Sequence, residues 1–243
     1  MIGFKDRSEE DEMMDDLGLD ANQIEAVLID INKANTLLGG NRITLKAIQR
    51  LIQKFPQKTY RIVDMGCGDG SMLREVAEFC SKLGLPVELI GIDLNEKSIQ
   101  VARNKSSSYQ EISYLKGDIL ALNVSELKCD ILLCTLTLHH FQNKEIVKFI
   151  NKFAELAHIG VIINDLERNK IAYHLFKVFS AVFMKTKIAK NDGLISIKSG
   201  FQKKELLSFS ELLPEMQHDI RRRWAFRYEW TFWHPNKIVN ERC

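Results

Sequence analysis

The chain has 243 residues, 45% of them hydrophobic and 27% charged, enough for one well-buried core with a cap or insertion, and wholesale disorder is excluded. Its 34 basic and 32 acidic side chains leave a formal charge of +2, which gives little of the sequence-independent phosphate attraction that a nucleic-acid partner needs, so none is expected.

From Ser8 to Asp20 the sequence is dense in Asp and Glu, and from Asn22 to Leu38 apolar residues recur at helical spacing through Ile24, Val27, Leu28 and Ile31. This predicts an amphipathic helix closed by Gly39 and Gly40, followed by a second helix capped at Thr44 that runs to about Lys54 and ends before Pro56. Two helices ahead of the first strand read as an N-terminal cap near the mouth of the core. Strand and helix patterns then alternate: strands at Tyr60 to Met65, Val87 to Ile92, Ile112 to Lys116, Asp130 to Thr135 and Gly160 to Asn164, with helices at Ser71 to Leu83, Glu96 to Asn104 and Glu145 to Ala157. Apolar strands separated by helices predict a parallel sheet covered on both faces.

Lys170 to Lys187 reads as an apolar helical insertion, Asn191-Asp192-Gly193 as a turn, and Lys203 to Leu212 as a helix. The alternation from Gln217 to Trp233 predicts two antiparallel strands, which completes a seven-stranded, mostly parallel α/β sheet with a terminal hairpin. A single domain follows, divided into a cap (1–58), a core (59–165), an insertion (166–200) and a C-terminal helix and strand pair (201–243). The most apolar helical stretch, Ile171 to Ile188, is interrupted by Lys177, Lys185 and Lys187 and is too short to span a bilayer, so no integral membrane segment is expected. Five cysteines, at 67, 80, 129, 134 and 243, lack metal-ligand spacing, and their odd number fits reduced thiols. With no signal-peptide core after Met1, the expected compartment is the cytoplasm, and no metal is expected.

The chemistry concentrates at three strand ends. The first strand runs into Asp64-Met65-Gly66-Cys67-Gly68-Asp69-Gly70 and then directly into a helix, where glycines allow a sharp turn and a close approach of backbone to ligand. Asp93, followed by Leu94, ends the second strand, where a carboxylate can accept two hydrogen bonds from a ribose diol. Asp118 and Ile119 follow the third strand, where the acid can accept from an adenine amino group. A nicotinamide dehydrogenase is disfavoured, because the third glycine of its Gly-x-Gly-x-x-Gly fingerprint is displaced to Gly70 and position 71 is Ser.

These residues resemble the class I S-adenosylmethionine (SAM)-dependent methyltransferases over about Tyr60 to Asn164. The resemblance implies a Rossmann-like fold, SAM as cofactor with S-adenosylhomocysteine (SAH) as product, and a binding set of Asp64, Gly66, Cys67, Gly68, Asp93, Leu94, Asp118 and Ile119. It also implies that Cys134, Thr135 and Leu136 line the methionine side. The run from Thr135 through His139, His140 and Phe141 resembles the small-molecule branch that includes the ubiquinone and menaquinone methyltransferases. The Asn-Pro-Pro-Tyr type motif of many nucleic-acid and protein N-methyltransferases is absent, so an oxygen or activated-carbon acceptor is favoured over an amino one.

His139, His140 and, on the insertion, His174 are candidate catalytic groups, because imidazole titrates near neutrality. Asp165, Arg168 and Tyr173, just beyond the fifth strand, are candidates for contacting a small-molecule acceptor. The apolar insertion suits an aromatic or lipid-like acceptor. The expected reaction is O-methylation of a phenolic or hydroxylated metabolite. Alternatives are C-methylation of a quinone-like ring, N-methylation of a small amine, or SAM binding without catalysis.

Overall fold

Strands buried on both faces organise the molecule. A computed structural model describes residues 3–15, 18–121 and 127–235; Cys243 and part of the acidic N-terminal run lie outside the described residues. β1 (Tyr60–Met65), β2 (Val87–Asp93), β3 (Ile112–Lys116), β4 (Cys129–Thr135), β5 (Ala157–Leu166), β6 (Gln217–Arg223) and β7 (Arg227–Trp233) form one sheet in the order β3-β2-β1-β4-β5-β7-β6. The first five strands are parallel, and β7 pairs antiparallel with both β5 and β6.

Because successive side chains leave opposite faces of a strand, the apolar runs of β1, β2 and β4 feed two cores. Ile62, Leu89, Ile131 and Leu133 pack on one face with Ile48, Leu51, Leu73 and Val76. These come from α2 (Gly40–Lys54) and α3 (Ser71–Lys82), and α4 (Glu96–Lys105) adds Ile99 and Ala102. Val63, Ile90, Leu132 and Cys134 pack on the other face with residues of α5 (Asn143–Leu156) and α8 (Lys203–Ser210), and with Trp230 and Phe232 of β7.

Three local expectations are corrected. The second helix starts at Gly40, with Gly39 at φ +73° before it. Thr44 therefore lies inside α2, where its hydroxyl accepts from Asn164 Nδ2 at 3.0 Å. β5 runs through Leu166 rather than stopping at Asn164, because its polar end pairs with β7 in the register Asn164↔Glu229, Asp165↔Tyr228 and Leu166↔Arg227. The insertion is two helices, α6 (Lys170–Phe183) and α7 (Lys187–Ser199), and the expected turn at 191–193 lies within α7.

The break between α6 and α7 has a cause in α1 (Ala21–Leu37). The buried Asp30 carboxylate accepts from the Lys185 and Thr186 amides and the Thr186 hydroxyl at 2.7 to 2.9 Å, satisfying donors at the start of α7. Gly193 is tolerated inside α7 because the Phe176 ring occupies the place of its missing side chain. Ahead of α1, residues 4–15 form a strap across the molecule. Arg7 donates to the carbonyls of Ser199, His139 and Phe141 at 2.7, 2.8 and 2.9 Å, and Arg168 donates to those of Phe4 and Lys5 at 3.2 Å each.

Candidate functional site

A cavity of about 780 Å³ opens at the carboxyl ends of β1, β2 and β4, where a doubly wound sheet places its ligands. Asp64, Gly66, Cys67, Gly68, Asp93, Leu94, Asp118, Ile119 and Thr135 all line it, so the structure gathers the whole expected cofactor set around one space.

The glycine turn is tightly held. Gly66 and Cys67 both donate to the Ile92 carbonyl, at 2.8 and 3.1 Å. Gly66 sits at φ +75°, and a Cβ there would overlap the Thr137 side chain. Gly68, at φ +53°, donates its amide to Asp93 Oδ2 at 2.9 Å, while Asp93 Oδ1 takes the Asn95 amide at 2.9 Å. These bonds hold the Asp93 carboxylate at the cavity wall. Asp118 Oδ1 accepts from the Leu120 amide at 2.9 Å, which fixes that loop beside the half-open end of β3. Asp69 is buried and spent on structure, bonded by Asn32, Lys105 and the Ser71 amide.

Asp64 tests whether these residues fit a SAM-like cofactor. Its carboxyl is 2% exposed, and Oδ1 has no hydrogen-bond partner among the described residues. Burial first, and then the neighbouring Asp93 charge, push its pKa up to about 8. A buried acid facing a cavity lacks a donor or a cation, and the ammonium of an amino-acid moiety supplies both. The acid, the glycine turn and Asp93 together fit an adenosyl amino acid.

The cavity lining also includes a second buried group of charges. His139 Nδ1 lies 2.6 Å from Asp165 Oδ1, and the His139 amide donates to Asp165 Oδ2 at 3.2 Å. The second ring nitrogen of His139, Nε2, is 3.5 Å from Glu12 Oε1 of the strap, and Ser196 donates to that same Glu12 oxygen at 2.5 Å. Burial opposes charge on His139, but the two carboxylates outweigh it and raise its pKa to about 10. Asp165 and Glu12 are lowered in turn: burial works to raise both, and the histidines overcome it. His139 is therefore an imidazolium between two carboxylates. His140 stacks on it, with ring centroids 4.5 Å apart, and lines the cavity too. Glu12, His139 and His140 each offer a ligand atom, all within 4.8 Å of one another, a spacing a divalent ion could use.

The remaining expected residues fall elsewhere. Asp165 acts behind His139 rather than on the cavity wall. Arg168 is buried in a bidentate pair with Glu205 and on three backbone carbonyls, so its charge is consumed in holding the strap. Tyr173 packs edge-on against Phe4, His174 is exposed, and neither is part of the cavity lining. Two lining residues escaped the sequence reading. Glu12 sits in an acidic run, which reads as solvated surface. Arg227 sits in a basic stretch but is 4% exposed, donates to Asn164 Oδ1 at 3.4 Å and presents a cation to the cavity. Burial holds its pKa down to about 10 against the opposing pull of Asp165.

Comparison with known proteins agrees with this geometry. A family model for a methyltransferase domain matches residues 62–160. The chain is 29% identical over 139 residues to "Putative methyltransferase YqeM" of Bacillus subtilis (strain 168), covering 56% of this chain and 51% of that protein. It is 30% identical over 88 residues to malonyl-[acyl-carrier protein] O-methyltransferase of Halalkalibacterium halodurans, covering 33% of this chain and 31% of that protein. The chain thus spans about half or less of the length of these curated relatives. Among solved structures, plantazolicin methyltransferase BpumL, in complex with a triazolic desmethylPZN analog and SAH, superposes with a TM-score of 0.65 at 16% identity, over 91% of this chain and 98% of that one. Magnesium protoporphyrin IX methyltransferase of Synechocystis PCC 6803, with bound SAH, gives a TM-score of 0.54 at 16% identity, over 80% and 84%. Residues 62–160 are similar to a methyltransferase domain, and the chain shares its fold with methyltransferases solved with SAH.

Proposed function

We propose that the chain methylates a small, largely apolar acceptor at oxygen, with a phenolic or comparably acidic hydroxyl as the reacting group. The observation that carries this reading is the buried cluster of Glu12, His139 and Asp165, of which Glu12 and His139 line an apolar cavity that also holds the expected cofactor set. The name of the Halalkalibacterium relative, an O-methyltransferase, supports an oxygen acceptor.

When bound, SAM supplies an electrophilic methyl group on a sulfonium, and transfer by in-line displacement asks the protein for alignment and exclusion of water. The chain's residues supply these and the proton chemistry. Asp93 and the turn at Gly66 to Gly68 fix the nucleoside end, and Asp64 receives the ammonium. The acceptor hydroxyl sits against Glu12 and His139. Its proton passes to the Glu12 carboxylate, while the His139 imidazolium, oriented by Asp165, stabilises the oxygen anion left behind. A free phenol ionises near pH ~10, so a buried adjacent cation is the help it needs to react near neutrality. Arg227 adds a second buried cation to the cavity lining. Phe176, Phe179 and the strap cover the acceptor and exclude water.

The test is a panel of phenols, aliphatic alcohols, amines and carboxylic acids, each incubated with SAM while SAH formation is followed. Phenols should be turned over, and His139→Gln should lower kcat with little change in SAM affinity. Turnover of amines alone, or full activity of His139→Gln on phenols, would overturn the assignment.

A further inference from the structure

Helix α6 is apolar on two faces. Ala172, Phe176 and Phe179 line the cavity, as expected of a lid. Ile171, Leu175, Val178 and Val182 recur at i, i+4, i+7 and i+11, form one stripe on the outside, and are 62, 53, 68 and 70% exposed. Single exposed aliphatic residues are ordinary, but four in line on one helix form a contiguous patch that needs an occupant.

The charge around the stripe identifies that occupant. Between Glu167 and Asp192 the chain carries no acidic residue but has lysines at 170, 177, 185, 187 and 190. Lys170, Lys177, Lys185 and Lys187 are exposed and make no ion pair among the described residues. By helical spacing, Lys170 and Lys177 form a row beside the stripe, and Lys185 and Lys187 follow its C-terminal end. A basic amphipathic helix of this kind suits an anionic lipid surface, with its apolar stripe among the acyl chains and its lysines at the headgroups. No helix among the described residues is long and apolar enough to cross a membrane, so the helix would lie in the interface. A second copy of the chain is a poorer occupant, because pairing stripe to stripe would bring two acid-free, lysine-rich segments together.

The rim of the cavity points the same way. Leu175 and Trp224 both line the cavity while being 53 and 76% exposed, so its mouth is apolar and adjoins the stripe. A tryptophan at such a rim is also a common interfacial anchor.

We propose that the outer face of α6 docks on an anionic bilayer surface and presents the cavity mouth to lipid-soluble acceptors. The docking itself does not depend on methyl transfer and is tested without it. The purified protein is sedimented with vesicles of phosphatidylcholine alone and of equal parts phosphatidylcholine and phosphatidylglycerol. Binding should be at least about tenfold tighter to the anionic vesicles and weaken with salt. Val178→Glu/Val182→Glu, at positions outside the cavity lining, should weaken it at least about tenfold while SAH affinity, measured by calorimetry, stays unchanged. Lys177→Glu/Lys185→Glu should remove the preference for anionic vesicles. Failure of the wild type to bind either vesicle would overturn the proposal. So would equal binding by the Val178→Glu/Val182→Glu variant, or a vesicle-insensitive dimer that this variant dissociates, the last of which would assign the face to a second copy.

Discussion

Asp64→Asn should make the cofactor-free protein more stable and the cofactor site weaker. The carboxyl is buried, one oxygen lacks a partner among the described residues, and its pKa moves from 3.8 to about 8. Between those two values the folded chain keeps a proton that the unfolded chain has released, so stability falls as pH rises, by roughly 1.4 kcal/mol per unit. At neutral pH the accumulated cost of this one group is about 4 kcal/mol, an upper figure since relaxation and water reduce it. Asparagine has the same shape and does not titrate. Denaturant unfolding of both proteins without cofactor, from mildly acid to alkaline pH, should give a stability difference that grows with pH in favour of Asp64→Asn and levels off above about pH 8. Binding should reverse the ranking. A cofactor ammonium holds Asp64 ionised, so the wild type should release a proton on binding SAM near neutral pH, visible as a buffer-dependent calorimetric enthalpy that the variant lacks. Parallel stability curves would refute both the raised pKa and the role assigned to it.

Gly66→Ala places a Cβ against Thr137 at a backbone angle of φ +75°, so it should cost roughly 1 to 3 kcal/mol in unfolding free energy and abolish measurable SAH binding. For His139, the raised pKa means that its ion pairs contribute stability that is fully present below its ordinary value of 6.5 and is lost as pH rises through about 10. Turnover should fall over that same alkaline limb, and Glu12→Gln should lower kcat about 10- to 100-fold and leave SAM affinity intact, a split that a purely structural Glu12 would not produce. Arg168→Met strips the buried partner from Glu205 and from the Phe4 and Lys5 carbonyls. It should cost about 3 kcal/mol and speed limited proteolysis within residues 4–15, with KM for the acceptor changing less than kcat.

The cofactor end was legible in the sequence because its determinants are local. A glycine run between an apolar strand and a helix, with acids at the next two strand ends, fixes both conformation and position, and Asp64, Asp93 and Asp118 line one cavity as expected. The proposed acceptor end was less legible because it is assembled over long distances. Arg7 reaches the His139 carbonyl across 132 residues and thereby delivers Glu12, whose acidic neighbourhood reads as solvated surface. Arg227 and Glu229 lie in a segment of alternating charge that suggests an exposed strand, yet β7 is interior, flanked by β5 and β6, and buries both side chains. Arg168 and Asp165 follow the fifth strand closely enough to suggest acceptor contacts. Continued pairing of β5 with β7 instead carries Asp165 behind His139, and Arg168 turns toward the strap. The break between α6 and α7 depends on Asp30, 155 residues from Lys185, and a helical period cannot reveal that contact.

Titration calorimetry with SAM and with SAH, on wild type and Asp93→Ala, tests the central claim most directly. Saturable 1:1 binding of both ligands to the wild type, weakened at least about tenfold by the substitution, which is about 1.4 kcal/mol, is the predicted result. Absence of binding to the wild type, or equal binding by Asp93→Ala, would contradict the assignment of this cavity to the cofactor.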